Sequence, residues 1–210
     1  MAAAQSDGSA RNALTEAFAT KSFSQSENQA ESPQLTRLKG AAQANPAPFA
    51  ALSTSDRSAI VAYAYKWAMA RNPDFKALDD DCTSFASQAL FAGGWQQEIG
   101  WPTDQGAWFG GTLLMANAWS RAQSLFDFGY QVTGRFHYAQ DAPSAGDITF
   151  WIWRKGDGTY NYTFDHTSIV TFTDSTGQPY YTQHTNDHVN KSLTLMLADE
   201  PGAIYSNWGV

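Results

Sequence analysis

With one cysteine among 210 residues, the chain cannot form an internal disulfide, and its single thiol is left for packing, chemistry or metal ligation. Charge is also sparse. Asp, Glu, Lys and Arg amount to 16% of the residues, the net charge is −7, and Lys and Arg nowhere cluster, which removes the electrostatic footprint that nucleic acid or an anionic membrane would need. Neither is expected as a partner. No stretch of about 18 apolar residues occurs, and the opening MAAAQSDGSARNALTEAF lacks the basic flank and apolar run of a signal peptide. Neither a membrane span nor a signal peptide is therefore expected.

What is present is apolar and aromatic: 43% and 14% of the residues, enough to bury one sizeable core. Residues 1–50 are rich in Ala, Ser, Gln and Asn without sustained periodicity, and read as a flexible or loosely packed N-terminal segment. Residues 51–210 read as the folded domain. Ser55 is expected to cap a helix through RSAIVAYAYKWAMAR that puts Ile60, Ala64, Trp67 and Ala68 on one face and stops at Asn72-Pro73. A second helix should start with Asp81 as N-cap, turn Phe85, Ala86, Ala89 and Leu90 inward, and end at the left-handed cap of Gly93-Gly94. A third is expected over Leu113–Phe128. Beyond Pro143 the period shortens, giving strands at Asp147–Trp153, Asp165–Thr173, Gln178–Thr185, Ser192–Leu197 and Ala203–Ser206. Helices first and strands second imply an α+β domain, its helices packed on one face of a curled antiparallel β-sheet.

If Asp81 is the N-cap, Cys82 occupies the first helical turn, where free amides and the helix dipole favour an anion. A neighbouring imidazole would complete a nucleophile. His166 and His184 sit at corresponding places on one expected hairpin, with residue 175 of the turn as their midpoint, so a symmetric pairing brings both rings to one face. Alternation sends Asn186 the same way as His184. Cys82, His166, His184 and Asn186 are thus candidates for nucleophile, base, orienting residue and polar support. The opposed readings are an inert core thiol, facing histidines without function, and a simple turn at Asn186-Asp187. The same Cys82, His166 and His184 could instead be three ligands of a catalytic zinc with water as the fourth. His137 and His188 lack partners by spacing and read as structural, and Gly156-Asp157-Gly158 reads as a hairpin turn rather than a calcium loop.

DCTSFASQALFAGGW, together with DRSAIVAYAYKWAMARNP before it and ANAWSRAQSLFDF, Ala145-Gly146-Asp147, DHTSIVT and QHTND after it, resembles the bacterial putative amidase domain family. The likeness runs in order from about Asp56 to Met196. More widely the chain is similar to the papain-like clan that includes the NlpC/P60 and CHAP cell-wall hydrolases. The resemblance implies a papain-like, NlpC/P60-like fold with Cys82 as nucleophile, His166 as general base and His184 as the third, orienting residue, with Asn186 standing two places beyond it. Ser84 stands where the family usually has Asn, and Ala86 where Val is common.

The leading expectation is a cysteine-dependent amide-bond hydrolase without cofactor or metal. The backbone N–H of Cys82 would serve as oxyanion donor, and Asp81, Thr83 and Ser84 would border the substrate. The resemblance makes the expected partner a peptide or amide link of bacterial peptidoglycan. Without an export signal, such an enzyme would act in the periplasm or outside the cell after non-classical delivery, with an inhibitory immunity protein as a further partner, or else in the cytoplasm on another substrate. From a different class, the alternative is a cell-wall or peptide-binding module that kept the fold and lost catalysis.

Overall fold

In the computed structural model, which describes residues 52–139 and 142–210, the first helix forms where a capping box is available. The N-terminal segment 1–50 lies outside the described residues. Helix α1 runs Thr54–Trp67 with Ser53, not Ser55, as N-cap. Only Ser53 has an acidic residue three positions on: its hydroxyl accepts from the Asp56 N–H, and Asp56 Oδ2 accepts from the Ser53 N–H at 3.0 Å. Ile60, Ala64 and Ala68 are buried as expected, with Trp67 packed partly against them. The helix ends before Asn72-Pro73 because the Trp67 carbonyl turns to other donors, the Ala70 N–H and a ring nitrogen of His184.

Helix α2, Cys82–Ala92, is the spine of the domain, with every residue from Cys82 to Leu90 buried. Its interior polar groups are paired: the Ser84 hydroxyl accepts from Gln88, Ser87 accepts from the Trp108 indole, and Gln88 Oε1 accepts from the Tyr63 hydroxyl. The helix closes in a Schellman arrangement, Gly94 N–H to Phe91 and Trp95 N–H to Leu90, with Gly94 alone left-handed at φ 102°. Gly93 serves packing instead, since a Cβ there would fall 2.4 Å from Ile60 of α1.

The expected third helix is broken. Short helices α3, Asn117–Ser120, and α4, Ala122–Phe126, are separated by the extended Arg121, and the chain then widens into a π-helical turn over Asp127–Val132. Trp95, Trp108 and Trp119 pack with Phe128 and Phe136 beneath these turns, so five of the aromatics that make the chain hydrophobic are core.

The sheet has six antiparallel strands: β1 His137–Tyr138, β2 Ile148–Ile152, β3 His166–Thr173, β4 Pro179–Gln183, β5 His188–Ser192 and β6 Ile204–Gly209. They lie in the order β1-β6-β2-β3-β4-β5 and form an open sheet. Ser192–Leu197, expected as a strand, instead begins helix α5, Leu193–Asp199, because the Ser192 hydroxyl caps the Leu195 N–H. Ile148, Phe150, Ile169 and Trp208 face the helices. Trp151, Val170 and Tyr181 face the other way, onto Met196 and Ala203.

The β3–β4 pairing differs from the expected hairpin in two respects, its centre at residue 176 rather than 175 and a bulge. Ile169 pairs with Thr182 and Val170 with Tyr181, whereas Phe172 pairs with Tyr180, so Thr171 is bulged. Its hydroxyl bonds Thr182 and Asn190. The bulge moves the register by one residue at the His166 end, which brings His184 level with Thr167 and so onto the face opposite to that of His166.

Gly129 tests the aromatic packing. A Cβ there would lie 2.1 Å from the Phe136 ring, so Gly129→Ala should cost about 2 kcal/mol through overpacking and lower Tm by about 4–8 °C, read by thermal denaturation.

Candidate active site

Asp81 occupies the N-cap position of α2 at φ −109°, ψ 15°, yet its side chain caps nothing. The carboxylate points inward instead, where Oδ2 accepts from Arg71 Nε and from His184 Nδ1, both at 2.7 Å. The first-turn amides of α2 are thus left without a side-chain acceptor. Cys82 follows at once, 7% exposed. Its sulfur lies 3.7 Å from the Thr83 hydroxyl, so the surroundings are polar rather than sealed and apolar. Burial pushes the Cys82 thiol up, but hydrogen bonding and charge from His166, the Thr167 N–H and the Thr83 hydroxyl outweigh it. The thiol titrates at about 7, against an ordinary 9.0.

His166 is the first residue of β3, buried, with its ring 5.3 Å from that of Trp153. The structure therefore brings Cys82 and His166 together. His184 is placed differently. Its ring stacks on Phe85 at a centroid distance of 3.9 Å, Nδ1 meets Asp81, and Nε2 meets the Trp67 carbonyl at 2.8 Å. Both ring nitrogens are thereby engaged. No ring nitrogen remains to orient His166 or to ligate a metal. Among the described residues no group of three His, Cys, Asp or Glu side chains is arranged to hold a metal ion.

Asn186 does not share a face with His184, because the strand ends at Gln183 and the chain turns. Thr185 and Asn186 have φ 58° and 64°, the left-handed pair of a tight hairpin. Asp81 and Ser84, expected to border the substrate, are buried in the network of Arg71 and His184 and in the bond from Gln88. Thr83 is buried too, and its hydroxyl serves the sulfur. His137 is an edge-strand residue lying over Gly209. The Gly156–Gly158 stretch is a turn in which Asp157 accepts from Thr159.

The match to known proteins follows these elements. The putative amidase domain family matches residues 54–206, from α1 into β6. The chain belongs to that family. It is also similar to "Uncharacterized protein YhbB" of Bacillus subtilis (strain 168), 31% identical over 138 residues, which is 63% of this chain and 42% of that protein. The chain thus spans less than half the length of this relative. No solved structure matches it.

Beside His166 the amidase domain opens a pocket of about 360 Å³, lined among others by Trp153, Gln183, Asn186, His188 and Lys191. His188, which reads as structural in the sequence, is therefore a pocket residue. Burial and the Lys191 ammonium hold its imidazole below the usual range. Sequence reasoning also passed over Arg71, which pairs Asp81 and grips Asp187 with both terminal nitrogens at 2.9 and 3.1 Å. Its only sequence signal was a lone cation before Asn72-Pro73. Hydrogen bonding to Arg71 holds the Asp187 carboxyl below the usual carboxylate range.

Iodoacetamide should alkylate Cys82 with half-maximal rate near pH 7. His166→Ala leaves only the burial penalty dominant, so the midpoint should rise past 9 and the rate at pH 7 fall at least tenfold. The sign for folding follows: a thiol whose folded value lies below its unfolded 9.0 adds stability above pH 9, lost as pH falls through about 7. His184→Ala removes a stacked ring and one partner of a buried carboxylate, and should cost about 3 kcal/mol in urea unfolding.

Proposed function

We propose that the domain is a papain-like cysteine amidase that cleaves a peptide or amide bond of bacterial peptidoglycan. One observation carries the reading: a thiol at the uncapped first turn of α2 is brought to about 7 by an imidazole from a distant strand. In the reactive form of the pair Cys82 is thiolate and His166 imidazolium. The sulfur attacks the carbonyl carbon, and the charge formed on oxygen is met by the Cys82 N–H at the helix start. His166 gives its proton to the leaving amine as the C–N bond breaks. Water then attacks the thioester, passes a proton to His166, and the acid leaves as the thiolate re-forms.

The substrate class rests on the family likeness and on the pocket, where the half-buried Trp153 and the polar groups of Gln183, Asn186 and Lys191 suit a peptide carrying charged ends. On this reading the protein is a delivered antibacterial effector that acts on the wall, with an inhibitory protein as its partner in the producing cell. Among the described residues no helix is long and apolar enough to cross a membrane.

Defined muropeptides incubated with the protein and analysed by mass spectrometry should show one bond class hydrolysed. Cys82→Ala should reduce the rate by at least about a thousandfold. Equal product profiles for the two proteins would sink the hydrolase reading and leave a binding module.

A further inference from the structure

An imidazole that shuttles protons to a thiol needs an acceptor on its second nitrogen, since the imidazolium form carries an N–H on each. His184, the neighbour in sequence terms, is committed to Asp81 and Trp67. His166 itself is left short: its Nε2 is buried without a hydrogen-bond partner. A second buried atom in the same pocket is also unpartnered, Oε1 of Gln183. Orphaned groups of this kind are rare and costly to keep.

Register explains why the two are neighbours. Ile169 pairs with Thr182, so one pair further on Gln183 lies opposite Ser168, diagonal to His166 and on the same face of the sheet. The Gln183 side chain is held at its other end, where its amide donates to the Thr185 carbonyl at 3.3 Å. That carbonyl belongs to the left-handed turn, a conformation rare for a β-branched residue. With the donor end tied, the oxygen end is presented to the pocket.

We infer that Gln183 is the positioning residue of His166, its carboxamide oxygen accepting the N–H of the imidazole nitrogen that does not serve Cys82. Neither atom has another hydrogen-bond partner, so the bond competes with no existing one as the imidazolium forms. Other titratable or charged groups around the ring are Cys82 from α2, His188 and Lys191 from β5, and Asp199 and Glu200 from the end of α5. Lys191 is bonded to Asp199 and lies 3.3 Å from His188 Nε2, which engages these three with one another. The inference rests on the Cys82–His166 reading, so its test must not depend on turnover alone.

The experiment is the pH dependence of Cys82 alkylation by iodoacetamide in wild type, Gln183→Leu, Gln183→Glu and Asn186→Ala, with Tm measured for each. Gln183→Leu keeps bulk but removes the acceptor, and should raise the midpoint by about one pH unit, a roughly fivefold slower reaction at pH 7. Gln183→Glu supplies a charged acceptor and should move the midpoint below that of wild type. With a cleavable muropeptide, Gln183→Leu should lower kcat about 10–100-fold at little change in KM. Unshifted alkylation profiles in folded Gln183→Leu and Gln183→Glu would overturn the assignment. So would an unshifted Gln183→Glu profile where Gln183→Leu fails to fold, or a shift produced by Asn186→Ala alone. A wild-type thiol that titrates near 9 would instead sink the Cys82–His166 reading itself.

Discussion

The position of the thiol depends on one buried carboxylate. Asp81, with 4% of its side chain exposed, takes Arg71 and His184 on the same oxygen, and through them joins three segments far apart in the chain. His184 reaches on to the last carbonyl of α1, and Arg71 reaches on to Asp187 at the β4–β5 turn. Arg71 pairs with both carboxylates of the group. A buried ion costs several kcal/mol to desolvate, so such a group persists only when its partners are held in good geometry. The arrangement is weak evidence for overall stability. It is strong in another respect, because it fixes where the N-terminus of α2 lies relative to the sheet, and that sets the distance from Cys82 to His166.

The same carboxylate determines the chemistry open to the helix start. An aspartate at an N-cap ordinarily turns back to bond the first-turn amides. Here it is drawn away by two stronger, charge-assisted partners, and the amides stay available to a charge that develops beside Cys82. The thiol in turn sits where two effects oppose. Burial favours the neutral form, and the imidazole, the Thr167 N–H and the Thr83 hydroxyl favour the anion. The outcome near 7 leaves thiol and thiolate both populated at neutral pH, which suits a nucleophile that must also be a leaving group.

Much of this was legible from residue order. The span of α2, its inward face and its glycine stop follow from local rules, whereas the pairing of Cys82 with a histidine on a distant strand rested on an assumed packing of the helix start over the sheet. What the sequence did not disclose were choices decided by tertiary partners. Ser53 outcompetes Ser55 because Asp56 completes its box. Ser192 turns an apparent strand into α5. The Leu113–Phe128 periodicity holds as burial only from Ala116 on, since Leu113 and Leu114 are exposed, and not as one helix, because Arg121 is extended and the chain beyond Phe126 widens to a π turn. Arg71 and Asp187 carry no periodic signal at all, since an ion pair between residues so far apart in sequence is defined only by the fold.

The most consequential departure is a single residue. Without the bulge at Thr171, the register of Phe172 and Tyr180 would set His184 opposite Ser168, diagonal to His166 on one face, and the adjacent Gln183 would point to the helices. With it, alternation sends His184 toward α2, where Asp81 needs a counter-ion and Phe85 offers a stacking surface. Gln183 is sent to the pocket, where His166 is the unpartnered ring. A side chain period of two makes this division absolute, because two adjacent strand residues cannot serve one face. The pair Gln183-His184 therefore splits into a residue on the face of His166 and a residue that holds the helix in place, and Thr171, bonded to Thr182 and Asn190, keeps the split in register.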